Sequence, residues 1–400
     1  MPPGQVDIAT PVNPWEAVGF GAVGSSPEVD NLRAYYEGCI NKWMWLLEGP
    51  GLKPLPKKLW GPLSILFENQ SRFTTQLRED TLTTDMTLPV RYTLPMIRQI
   101  FGRLFATKLC SIQPMPLTSG GVANCYFLKF KRETGGTSYL TTLDSAWAHS
   151  GEKQLPKLGK LELTSQAVSA VKDMLAACWS QEAMEDAKAA GIDVEAEMIR
   201  ALSDEIAREV DQRILGEMMA GAAAGNATWH WTMGGGYVTA KDWYETLGHA
   251  LVDADALIYA LRQESAQYVV AGTSLFNYIC KMATFVPRGG SNNPADSADA
   301  EPNYVGAEHQ GTFMGYWDIW RSGLIPSTMG LIGRYPTNWL NAGYIYMPYI
   351  PLAAMPLVYG EMNTSTGAYE NRDAWTRNIR TRWGRWYAVK QLFATITISS

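Results

Sequence analysis

Four histidines, His149, His230, His249 and His309, are the side chains best suited to acid–base or metal chemistry. They are scattered, and none sits at the four-residue spacing that would place two ligands on one helix face. Asp253 and Asp255 could be read as paired carboxylates. On a helix, however, residues two apart do not share a face. Gly234-Gly235-Gly236 and Gly289-Gly290 are not followed by the lysine of a phosphate loop, and no G-x-G-x-x-G or G-x-S-x-G pattern occurs. No catalytic, cofactor-binding or metal-ligating residues are therefore expected. The single basic–aromatic cluster joins Arg372, Arg377, Arg380, Arg382 and Arg385 with Trp375, Trp383 and Trp386. Such a cluster can grip nucleic acid, or form salt bridges and aromatic packing between subunits. A net charge of -5 favours the second reading, because dedicated nucleic-acid binders carry a basic excess.

The elements that must position these residues follow from pattern. With 46% hydrophobic and 18% charged residues, the 400-residue chain can bury a sizeable core. Five cysteines, Cys39, Cys110, Cys125, Cys178 and Cys280, are odd in number and irregular in spacing. They read as small buried hydrophobes of a protein made in a reducing cytoplasm. No signal peptide or membrane-length apolar run is expected, and no membrane partner.

Residues 1 to about 85 read as an irregular arm broken by prolines and glycines, with one short helix over Leu32–Leu47. The arm still carries Trp15, Tyr35, Tyr36, Trp43, Trp45 and Trp60, whose rings need a surface to cover them. Met96, Ile97, Ile100, Phe101, Leu104 and Phe105 predict a helix from Pro95 to Ala106, with the proline in its first turn. Val122 to Lys131 is extended, and Gly135-Gly136 predicts the turn of a projecting hairpin over 118–140. A strand over Leu161–Ala170, a helix over Ser180–Ala190 stopped at Gly191, and a long helix from Asp193 to about Ala220 follow. In the long helix Val194, Met198, Leu202, Ile206, Val210, Ile214 and Met218 repeat every four residues, so the apolar stripe should spiral. Asp204–Arg208 and Glu209–Arg213 are expected ion pairs along it. Residues 221–239 read as a boundary before a second α/β region. That region has a helix over Lys241–Leu261, a buried strand at Tyr268–Ala271, a short helix at Ser274–Lys281, a polar loop over 287–303, and strands from Tyr344 to Phe393–Ile398.

Three blocks then resemble a known family. Leu94 to Met115, with its Gln113-Pro114-Met115 ending, is similar to the helix and Gln-Pro-Met signature of T-even-type phage major capsid proteins. Ser180 to Glu197 with Leu202 to Leu215, and then Asn341 to Leu352, resemble that family's later blocks in the same order. The resemblance implies an α+β fold of the Hong Kong 97 type. It implies an N-terminal arm and leading helix (1–111), an E-loop hairpin (112–160), a P-domain with a long spine helix (161–225), an A-domain (226–369), and a return to the P-domain (370–400). It implies a structural shell subunit that forms homo-hexamers and pentamers in the virion, is made and assembled in the bacterial host cytoplasm, and requires no cofactor. Its further partners would be packaged double-stranded DNA, held non-specifically on the inner surface, and scaffold, portal, vertex or decoration proteins. The expected inter-subunit contacts are Trp15, Trp43, Trp45, Trp60, Gly135, Gly136, Arg380, Arg382 and Arg385. The region 112–163 is too short for the inserted module of T-even members. Leu46-Leu47-Glu48 before Gly49 carries the residue types of a propeptide cleavage site found in relatives. An encapsulin-like compartment protein, which shares the fold, and a cytosolic α/β enzyme are the alternatives.

Overall fold

A computed structural model describes residues 27–49, 55–80, 90–116, 120–132, 159–191, 194–232, 239–262, 264–288, 304–336, 342–354, 358–362 and 369–399. The class is α+β, as expected.

Where it is described, the irregular arm is corrected. It folds as helix α1 (Pro27–Leu47), a 3-10 turn at Lys57–Leu59, and helix α2 (Trp60–Asp80). The prolines punctuate these helices without breaking them. Pro56 caps the 3-10 turn and Pro62 lies in the first turn of α2, where a missing N–H removes no intrahelical bond. Helices α3 (Val90–Arg103) and α4 (Ala106–Leu109) follow. The expected helix thus begins earlier, and Pro95 stands in its second turn.

Helix α5 (Gln181–Ala189) starts where expected, with the Ser180 hydroxyl accepting the Ala183 N–H at 3.2 Å. It stops at Gly191, whose φ of 78° suits a residue without Cβ. The long helix α6 (Val194–Ala220) has the predicted spiral: Val194, Met198 and Leu202 are half-buried, and Ile206, Val210, Ile214 and Met218 are buried. Glu209–Arg213 forms at 3.1 Å. The other predicted pair does not form. Asp204 is taken by Arg103 at 2.7 Å, and Arg208 pairs with Glu205. Tertiary contact outweighs a surface i,i+4 pair of a few tenths of a kcal/mol.

Strands β2 (Val122–Arg132) and β3 (Gly159–Ser169) form a two-stranded ribbon in unbroken antiparallel register, from Val122↔Ser169 to Arg132↔Gly159. This corrects the hairpin expected over 118–140. Two glycines permit a turn, but all 11 residues of β2 pair with β3. The connection over 133–158, with Gly135 and Gly136, lies outside the described residues.

A five-stranded sheet contains β1 (Ser111–Ile112), β4 (Val171–Ser180), β11 (Tyr344–Ala354), β12 (Val358–Met362) and β13 (Tyr369–Tyr387). Its order is β1-β11-β13-β12, with β4 paired to the opposite side of β13. Pro348 and Pro351 lie within β11 although β11 is central in the sheet. The register slips between Pro348 and Ile350 and again before Ala353, so bulges absorb the missing donors.

A seven-stranded sheet runs β5 (Asn226–His230), β14 (Phe393–Ser399), β10 (Met329–Gly333), β6 (Tyr268–Ala271), β9 (Trp317–Ser322), β8 (Ala307–Phe313), β7 (Phe285–Pro287). Helices α7 (Ala240–Arg262) and α8 (Thr273–Ile279) cover one face with Leu247, Leu251, Ile258 and Leu275. Strand β6 is buried throughout, because Tyr268 and Val270 face the main core and Val269 and Ala271 face α7 and α8. Strand β13 gathers β4, β11 and β12 into one sheet, and β14 joins β5 from the glycine- and alanine-rich segment. Such pairings are non-local and leave no mark on local pattern.

Helices α1–α4 and α6 and the inner faces of both sheets share one core, with Phe67, Phe101, Phe105, Ile214, Trp320 and Trp383. Within it the Asp211 carboxylate of α6 accepts the Phe105 and Ala106 N–H groups at 2.9 and 2.8 Å. Burial pushes its pKa up from 3.8 to about 7, although the two backbone bonds oppose the rise.

Two outcomes are expected. Replacing Ile206, 3% exposed, with Asp should abolish soluble folding, because an unpaired buried carboxylate costs several kcal/mol out of a typical 5–15. Recovery of well-folded protein, judged by circular dichroism, would refute this. For Asp211 the folded pKa lies above the unfolded one. The folded state therefore holds the proton more tightly, and this stabilisation is full below pH 3.8 and lost as pH rises to about 7. Asp211→Asn should remove that component of the pH dependence in thermal melts between those limits.

Candidate assembly surface

The residues expected at subunit contacts divide into three groups. Trp15, Gly135 and Gly136 lie outside the described residues. Trp43 and Arg385 are engaged within their own chain. Trp45, Trp60, Arg380 and Arg382 retain surface.

Trp43 is 7% exposed and packs 6.0 Å from Phe67, with its Nε1 donating to Glu68 Oε2 at 3.3 Å. Glu68 also receives Lys42 at 2.7 Å and Arg72 at 3.0 Å, and these bonds hold its pKa below the ordinary carboxylate value against desolvation. Trp43 thus finds its cover on α2, a helix that composition alone did not reveal. Deleting residues 1–60 would strip Leu46, Leu47 and Leu59 from the core. A cut after Glu48 falls beside the same buried leucines. Trp60 is half-buried and donates to the Leu55 carbonyl at 3.3 Å. Trp45 is 61% exposed, and Tyr35 and Met44 on the same helix are exposed with it.

The arginine–tryptophan cluster lies on β13, where alternation sorts it by face. Facing α6, Arg385 binds Glu217 at 2.7 Å, and Trp383 donates to Asp173, which also holds Arg213 at 2.7 Å. Glu217 accepts the Tyr344 hydroxyl at 2.6 Å, and this bond, after burial, drives the tyrosine's pKa far up. On the other face Arg380 lies over the Phe73 ring at 5.5 Å and Arg382 over Tyr349 at 5.1 Å. Gly121, with φ of 86°, leaves the space that the Arg382 guanidinium fills. In register with these two arginines on β4 are Met174, 45% exposed, and Lys172.

Lys172 and Met174 were not anticipated. The signal was the alternation along Val171–Ser180, where even-numbered residues point outward. A second unanticipated exposure lies at the β8–β9 turn, where Met314 and Tyr316 are exposed and Met314 adopts a φ of 51°, and Val286 of the adjoining β7 is exposed as well. Cys39, Cys110 and Cys125 are buried as expected, but Cys178 and Cys280 are exposed. Among the described residues no group of three His, Cys, Asp or Glu could hold a metal, and no helix is long and apolar enough to cross a membrane.

Residues 136–378, more than half of the chain, match the family of the major capsid protein Gp23. The chain belongs to that family. It is a tailed-phage major capsid protein, a structural component of the virion shell and not an enzyme. Two of the three resembling blocks, at 180–215 and 341–352, fall inside the match, and the block at 94–115 precedes it. Neither the compartment-protein nor the enzyme alternative is favoured. No curated protein matches the chain. Among solved structures, the capsid of Myoviridae phage XM1 is similar at 10% identity, covering 70% of this chain and 86% of that one, with a TM-score of 0.41. The capsid of cyanophage P-SCSP1u is similar at 13% identity, covering 74% and 88%, with a TM-score of 0.44. A Mycobacterium phage Adephagia structure is similar at 11% identity, covering 74% and 90%, with a TM-score of 0.44.

The two tryptophans of α1 should separate packing from assembly in this capsid protein. Trp43→Ala should lower the stability of the isolated subunit by about 3–5 kcal/mol, read in denaturant titrations. Trp45→Ala should change it by less than about 0.5 kcal/mol. Equal effects would show that the two rings share one environment.

Proposed function

We propose that copies of this chain form hexamers and pentamers that tile an icosahedral shell around packaged double-stranded DNA. Assembly takes place in the bacterial host cytoplasm, with scaffold, portal, vertex or decoration proteins as further partners. The arm and leading helix, the E-loop and the P- and A-domains keep the roles that the family resemblance implies, with the sheet memberships described above. Contacts between copies use Trp15, Trp45, Trp60, Gly135, Gly136, Arg380 and Arg382, while Trp43 and Arg385 serve the subunit's own packing.

The observation that supports this reading is the β2–β3 ribbon. Its 11 residues per strand span about 36 Å at the usual rise, and it forms a sheet of its own. A two-stranded ribbon is marginal in water unless something covers it. A neighbouring copy in a shell supplies that cover.

The test is to express the chain and a variant in which residues 133–158 are replaced by Asn-Gly, the tightest hairpin connection. The unaltered chain should give shells, tubes or hexamers by electron microscopy. The variant should retain its circular dichroism spectrum and give none. Shells of normal yield from the variant would refute the role of the ribbon.

A further inference from the structure

The outer face of β4 and β13 breaks a rule of sheet design. Lys172 stands directly opposite Arg382, and Arg380 is two residues along on the same face. Like charges opposite one another destabilise a sheet. On the face toward α6, by contrast, Arg385 of β13 is matched by Glu217, and Asp173 of β4 by Arg213. Among the described residues, neither Lys172, Arg380 nor Arg382 has a carboxylate or hydrogen-bond partner for its side chain, and the Nε of Arg380 is sealed from solvent without one. Violations of local rules concentrate where a surface does something other than fold. An anion completes this face.

Its surroundings say which kind. Met174 shares the face, and Val122, next to the Gly121 that Arg382 lies against, is 54% exposed. Exposed methionine and arginine together mark protein interfaces, whereas a site for DNA phosphates has no use for apolar neighbours. Resting on the shell reading, the partner is a second copy of the same chain, and that chain has an acidic element to offer. Helix α5 begins where β4 ends. It carries Glu182, Glu185 and Asp186, all exposed, with Met184 among them and Lys188 at its far end. None of its residues is buried. Trp375 Nε1 anchors its first residue, Gln181, and Gln181 in turn holds Glu185 at 2.7 Å. A helix of nine residues with no buried side chain lacks a core of its own.

We propose that the acidic helix α5 of one copy docks on the Lys172–Arg380–Arg382 face of the next. The two surfaces are separated along one strand by about 30 Å, the length of Lys172 to Gln181 at the usual rise. The contact is therefore head-to-tail, the kind that closes into rings.

The experiment uses charge reversal and cross-linking on the full chain. Arg380→Glu/Arg382→Glu should reduce particle yield about tenfold or more, and Glu182→Lys/Glu185→Lys should do the same. The four substitutions together should restore particles, because each copy then presents both reversed surfaces. In unaltered particles a carbodiimide should link Lys172 to Glu182, Glu185 or Asp186, and should not do so in dissociated subunits, where the distance forbids it. Absence of that link from intact particles overturns the proposal even if every variant misfolds. So does normal assembly of Arg380→Glu/Arg382→Glu, including assembly with weakened DNA retention, which would assign the face to phosphates. Failure of the unaltered chain to assemble at all would remove the shell reading itself, and shows ahead of any substitution.

Discussion

Two carboxylates hold the structure together through α6. Asp211 takes the two N–H groups at the junction of α3 and α4, and Glu217 takes the Tyr344 hydroxyl of β11 and the Arg385 guanidinium of β13. The N-terminal helices and the five-stranded sheet therefore meet on one rod. A donor buried without its acceptor costs about 1–3 kcal/mol, so each of these bonds fixes a position as well as adding stability. The apolar stripe of α6 spirals because the neighbours it must reach lie at different angles around it. The seven-stranded sheet joins the same core through Tyr268, Val270 and Leu331.

Elements whose pattern is local are legible in the sequence. The spiral of α6, the stop at Gly191, the all-apolar strand at Tyr268–Ala271 and the strand at Leu161–Ala170 all stand where the residue pattern places them. What escaped was of two kinds. Helix α2 was obscured because Pro56 and Pro62 read as breakers, when their positions at a cap and a first turn make them harmless. Pairing partners escaped because pairing is non-local. Nothing near Val122 announces that it faces Ser169, and nothing near Asn226 announces that it will lie beside Thr395.

The candidate surface was partly legible for the same reason. An arginine–tryptophan run is conspicuous, but the run says nothing of faces until it is known to be a strand. Alternation then sends Trp383 and Arg385 inward to α6 and leaves Arg380 and Arg382 outward. Trp43 and Trp45 divide in the same manner on α1. Aromatic count identified a segment that must be covered, and only geometry could say which rings its own chain covers. The outward remainder is what a shell subunit has available for its neighbours.

The position of β14 has a consequence for synthesis. It lies between β5 and β10, so the seven-stranded sheet is split until residues 393–399 have been made. Strand β4 likewise waits for β13, about two hundred residues later in the chain. Pairings over such separations are slow, and the open edges they leave are prone to aggregate. A ribosome making this chain thus exposes two unfinished sheets for much of translation, and neither can close early. A product that stops before residue 393 cannot offer a finished sheet to a growing lattice, so these last strand residues act as a check on what is incorporated.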